Sequence, residues 1–278
     1  AALGAFALQS NTTGDENTAF GKSALGYNET GNKNTAVGRS ALSANLASEN
    51  TGVGYKTLLA NTTGTRNTAV GAWSLDSNTT ASDNTAVGYD ALQANTTGTQ
   101  NVAVGTYALD ANTTTSYCTA IGYGALSACT ADSNTAVGRL ALEDCTTGSN
   151  NTAVGRFALG QLTTASQNVA IGDYALDAMT TASDNTAVGY EALTSNTSGS
   201  QNTGVGHRSL ILNTTGLGLC AFGVGALDAN TTGNYNAAFG RHALSGNTTA
   251  HDNAAFGAFA LQANTTASAN VGVGCSAL

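Results

Sequence analysis

The chain has 278 residues, with 34 glycines, no proline, 9% charged residues and 41% hydrophobic residues. An average globular chain carries about 5% proline and about 25% charged residues, and a disordered one carries charge or proline in place of aliphatics, so both classes are excluded. Nine Lys+Arg against 17 Asp+Glu leave a net charge of −8, which disfavours nucleic acid and anionic membrane as partners. No apolar run approaches the roughly 20 residues of a membrane span.

From the start of the chain one glycine recurs, at Gly4, Gly21, Gly38, Gly54, Gly71 and onward to Gly274. Each step is 17 residues except the two of 16 that end at Gly54 and Gly138. Counting from four residues before that glycine, the unit reads N-T-A-V-G-x-x-A-L-x-A-N-T-T-G-S-x. Position 9 is Leu in every copy, from Leu8 to Leu278, position 4 is always Val, Ile, Leu or Phe, and position 3 is always Ala or Gly. So short a unit cannot enclose a core alone, and its Leu and Val columns are buried only if successive units stack as coils. Residues 1–278 are therefore expected to form one solenoid with partial units at both ends and no linker. The expected fold is an all-β or mainly β repeat, a parallel β-solenoid of about 17 coils with 17 residues per coil.

Within each coil T-A-V predicts a short strand. The inward positions 8, 9 and 12 are spaced i, i+1, i+4, which fits one short helical turn better than a strand. Sixteen steps at the strand spacing give a rod of roughly 75–80 Å. Proline is excluded because interior rungs need their N–H groups. Glu16, Lys33, Glu49, Arg66 and Asp83 alternate in sign at position 17, as in-register stacking favours.

The Asn columns admit two readings. Eleven of 12 N-x-S/T sequons lie at position 12, and as glycosylation acceptors they would include Asn11, Asn61 and Asn95. Against this, position 12 becomes Cys129, Cys145, Leu162 and Met179 in four units, residues suited to the interior. That substitution pattern favours buried ladders of hydrogen-bonded amides, with Asn61, Asn78, Asn95 and Asn112 in one column and Asn17, Asn34, Asn67 and Asn84 at position 1 in another.

Units such as NTAVGYDALQANTTGTQ and NTAVGYEALTSNTSGSQ resemble the tandem repeats of phage and bacterial tail-fibre-like and surface-fibre proteins. A-[VI]-G-x-x-A more loosely resembles the β-roll head repeats of trimeric autotransporter adhesins. The resemblance implies an extracellular, cell-surface or virion fibre used for reach or attachment, and it brings no catalytic residues.

No enzyme signature stands out. His207, His242 and His251 sit on variable positions of different coils, and each G-x-G is the structural glycine after a small position 3. No cofactor or metal motif is recognised. Cys129 and Cys145 share a column of adjacent coils, near enough for a disulfide, and read equally as buried thiols. The surface with binding character is positions 6 and 7, which hold Tyr55, Trp73, Tyr89, Tyr107, Tyr123, Arg139, Arg156, Phe157, Tyr174 and Tyr190. Tyr and Arg in such a stripe serve chain–chain contact, rung stacking, or capture of a cell-surface glycan or receptor. Two functions are expected on these grounds. One is a structural fibre shaft that self-associates end to end or as a homotrimer. The other is an ice-binding or glycan-binding solenoid, with Thr62, Thr79, Thr96 and Thr113 as the candidate ice rank. The absence of polar caps at either end is expected to favour a continuous filament.

Overall fold

A computed structural model describes residues 1–278. Its regular elements are seventeen strands, β1 (Ala2–Leu3), then three-residue strands from β2 (Thr18–Phe20) to β17 (Val271–Val273), and no helix. The chain divides into two compact units, Ala1–Ala136 and Val137–Leu278. Within the first unit β1 to β8 (Thr119–Ile121) pair in parallel, one coil to the next, with like positions opposite, as in Thr68↔Thr85 and Val70↔Val87. Within the second, β10 (Thr152–Val154) to β17 do the same. Each unit is a parallel β-solenoid.

The core of each coil is small. Ala at position 3, Ala at 8 and Leu at 9 are fully buried, as in Ala19, Ala24 and Leu25, and so are Asn28 and Asn34. The leucine at position 9 packs under position 3 of the following coil. A Cβ on Gly52 would lie 3.3 Å from Leu42 Cγ, which is why position 3 refuses bulk.

Two expectations need correction. Position 4 is not core: Val37, Val70 and Ile121 are 38%, 36% and 40% exposed. A three-residue strand alternates, so with Ala36 inward, Thr35 and Val37 on either side of it both face out. Nor is there a helical turn after the glycine. Position 8 bonds back to position 5 (Ala24 N to Gly21 O, 3.3 Å) and position 12 to position 9 (Asn28 N to Leu25 O, 3.2 Å), while the N–H groups of positions 7 and 9 leave the coil, Ser23 for Ala5 O at 2.9 Å and Leu25 for Ala41 O at 3.0 Å. The reversal comes from left-handed residues at positions 7, 9 and 17, such as Ser23 (φ 58), Leu25 (φ 49) and Lys33 (φ 58). A residue of that hand breaks strand alternation, and it lets consecutive residues such as Ala24 and Leu25 both point inward. Such residues cost about 1 kcal/mol each, and only the stacking around them holds them there.

Proline's absence follows twice over. Most N–H groups of a coil donate to a neighbouring coil, and proline's fixed φ near −65° cannot serve the three left-handed positions. The recurrent glycine is equally constrained. Gly88 has φ +141, and a Cβ there would run into Gly105 O.

Candidate functional site

The amide ladders are internal. Along position 12, Nδ2 of Asn28, Asn45, Asn61, Asn78, Asn95 and Asn112 each donates to Oδ1 of the Asn one coil before, at 2.6 to 3.4 Å. The same nitrogen donates to the carbonyl at position 15, as Asn61 does to Gly64 O at 2.9 Å. In the second unit the ladder resumes with Asn213, Asn230 and Asn247. Position 1 repeats the amide-to-amide bond in several coils, as Asn84 Nδ2 does to Asn67 Oδ1 at 3.3 Å, and adds main-chain bonds. Its Oδ1 accepts the backbone N–H of the next position 1 (Asn34 N to Asn17 Oδ1, 2.9 Å; Asn84 N to Asn67 Oδ1, 3.1 Å) while Nδ2 donates to the position-15 carbonyl of its own coil. Asn61 and Asn95 are fully buried with both amide hydrogens donated, so a glycan cannot be carried on either in this fold. Asn11 is exposed.

No disulfide forms, and all five cysteines carry thiols. This corrects the Cys129–Cys145 pairing. Each sulfur substitutes for the position-12 amide and donates to a turn carbonyl, Cys129 Sγ to Ala131 O at 3.5 Å and Cys145 Sγ to Gly148 O at 3.2 Å. The hydrogen bond with Cys129, together with burial, pushes the Cys118 thiol far up.

Two further ladders escaped the sequence. The position-13 hydroxyls donate to the position-13 carbonyl of the next coil, Thr62 to Thr79 O at 3.0 Å and Thr96 to Thr113 O at 2.9 Å. The expected ice rank is thus spent on coil-to-coil bonding. At position 16 the side chain accepts the preceding coil's position-16 N–H, through Asn32 Oδ1, Ser48 Oγ, Ser82 Oγ, Asn234 Oδ1 and His251 Nδ1. These residue types differ, but all carry an acceptor close to the backbone. That shared property is the signal that could have found them.

The stripe at positions 6 and 7 is ordered by a rule. In the first unit Tyr55, Trp73, Tyr89, Tyr107 and Tyr123 alternate between positions 6 and 7, and each meets the next edge to face, with centroids 5.3 to 6.0 Å apart and planes at 85 to 87°. Where successive rings share a column they stack instead. Phe157 and Tyr174 lie 5.5 Å apart at 11°, and Tyr190 and His207 5.5 Å apart at 15°. Cations cover the ring faces: Arg139 lies 5.3 Å over Phe157 and Arg156 4.8 Å over Tyr174. The Arg156–Asp173, Arg208–Glu191 and Arg66–Asp83 pairs close ion pairs at 3.6, 3.0 and 2.6 Å. All are partly exposed, where solvent and salt screen them, so they add little to stability. Of the alternating charges at position 17, only Arg66 and Asp83 meet. Lys33 forms no ion pair.

In the second unit Val224 and Gly225 interrupt the stripe and leave an open notch of about 540 Å³ between His207, Arg208, Leu212 and His242. His242 Nδ1 stands 3.8 Å from Asp228 Oδ2 there. No three His, Cys, Asp or Glu side chains gather as a metal site. No helix is long and apolar enough to cross a membrane.

Comparison with protein-family models, curated proteins and solved structures finds no match to this chain.

Proposed function

We propose that the chain is a structural shaft of an extracellular, cell-surface or virion fibre that self-associates into filaments. One observation carries this reading. Most of the repeated polar and aromatic side chains are committed to bonds between coils: Asn at 1 and 12, Thr at 13, the acceptors at 16, and the rings at 6 and 7. Such a chain resists deformation along the stack. The stripe at positions 6 and 7 supplies the lateral contact, because seven of the nine Lys and Arg lie there, from Lys22 to Arg241, in a chain whose net charge of −8 leaves a second copy rich in acids. Sedimentation and electron microscopy test the reading. Filaments or lateral bundles that dissolve at high salt support it. A monodisperse monomer without filaments at any protein concentration overturns it.

A further inference from the structure

The outward side of the strands bears two ranks. Thr18, Thr35, Thr51, Thr68, Thr85 and Thr119 form one, interrupted at Val102, and Phe20, Val37, Val53, Val70, Val87, Val104 and Ile121 form the other, with the residues of each rank in register from β2 to β8. The second rank is apolar in all seventeen coils although it faces outward, so the core does not account for its composition. Neither rank contains a charged residue in a chain of net charge −8. The hydroxyls of the Thr rank, unlike those at position 13, have no hydrogen-bond partner in the protein, so they are available to a ligand.

We infer that this two-rank face of residues 18–121 binds ice. The ranks repeat about every 4.8 Å along the stack and lie about 6.6 Å apart across the strand, a regular grid of hydroxyl and methyl groups. Thr and Val are β-branched and held to few rotamers, so little side-chain freedom is lost when the grid is matched. Water over methyl groups is already orientationally restricted, and the hydroxyls anchor it by hydrogen bonds. A periodic, uncharged, hydroxyl-bearing grid complements a solid whose own oxygens repeat every few ångström. A second copy fits less well. The face from β2 to β8 measures about 10 by 29 Å, about 300 Å², against about 800 Å² per partner in a stable protein interface.

The test is nanolitre osmometry of the whole chain, with ice-recrystallisation assays. Thr68→Tyr and Thr85→Tyr place bulk in the middle of the grid, and Thr68→Ala removes one hydroxyl with minimal risk to folding. Thr80→Tyr is the control, on the exposed position-14 rank of the same coils. The expected result is a measurable freezing–melting gap with faceted crystals. It falls about tenfold in either Tyr variant and is kept in the control, with circular-dichroism melting unchanged. Absence of any gap or recrystallisation inhibition in the wild type overturns the inference. So does equal loss in the control, or a dimer that Thr68→Tyr dissociates in a chain without a gap.

Discussion

Asn78 Nδ2 lies 2.8 Å from Asn61 Oδ1 and 3.0 Å from Ala81 O, and Asn78 Oδ1 accepts from Asn95 Nδ2 at 3.0 Å. One amide thereby links three coils and satisfies a turn carbonyl that would otherwise depend on Asn67 alone, at 2.8 Å. All of these amides are fully buried. Water cannot replace a missing partner there.

Asn78→Ala is therefore expected to orphan Asn61 Oδ1 and destabilise the fold by about 3 kcal/mol, the range for a buried group left unpaired plus a small cavity. Asn78→Leu leaves the same orphan without the cavity. Since Asn61→Leu removes that orphan, the Asn61→Leu/Asn78→Leu pair should cost less than the sum of its single changes by about 1 kcal/mol. Urea unfolding of the four proteins checks this. Additive costs would mean that the ladder is not a coupled unit.

The left-handed positions divide by tolerance. Ser40 at position 7 has φ 57, and Gly124 and Gly225 hold that same position elsewhere with φ 61 and 62. Ser40→Gly is expected to leave stability unchanged or raise it by up to about 1 kcal/mol, relief of left-handed strain offsetting the added freedom of the unfolded chain. Gly88→Ala should lower stability by about 3 kcal/mol, because φ +141 is open to glycine alone and the new methyl meets Gly105 O. Thermal melts of both variants against the parent check the ordering.

The parts of the coil legible in the sequence are those where one chemistry is demanded every time: the small residue at position 3, the buried leucine at position 9, and the amides that only Cys, Leu or Met replace. The valine column at position 4 misleads, because an invariant apolar column looks the same whether it faces a core or an outer surface. Only the alternation around Ala19 and its equivalents, small and therefore inward, distinguishes the two. The φ of Leu25 and its counterparts is not legible at all, since Leu has no preference for that conformation and the packing around it imposes it. At positions 7 and 17 a trace is present, in Gly124, Gly218, Asp90 and Asn150. The ring stripe is legible as a surface, but its alternation of columns acquires meaning only from the contact angles.

That alternation makes a prediction about optics. Moving the indole from position 7 to position 6, by Ala72→Trp with Trp73→Ala, places it in the column of Tyr55 and Tyr89. Like Phe157 over Tyr174 it should then stack, and the edge-to-face chain loses its first two contacts, those of Trp73 with Tyr55 and Tyr89. Near-ultraviolet circular dichroism should change in sign or intensity for the tryptophan band, with stability altered by no more than the about 0.5–1.5 kcal/mol of an aromatic pair. An unchanged spectrum would show that the ring geometry does not depend on the column.

The acids at position 10 set the response to pH. Burial pushes the carboxyls of Asp76, Asp110, Asp177 and Asp228 above the ordinary range, and Lys56 and His242 only partly counter it for Asp76 and Asp228. Asp76 Oδ1 and Asp110 Oδ1 are buried without a partner. The folded chain therefore takes up protons at a higher pH than the unfolded chain, whose Asp titrates near about 3.9. Stability must rise as pH falls from neutral towards that value and be lost again as pH rises through the folded-state values. Asp83 runs the other way, held low by its hydrogen bond to Arg66, but it is exposed and weakly coupled to folding. Urea midpoints are expected to increase from pH 7 to about pH 4.5 in the parent and to flatten in Asp76→Asn/Asp110→Asn, which keeps the shape and removes the charge. If the midpoints fall on acidification, and equally in both proteins, the burial of these carboxylates is not what the folded chain must overcome.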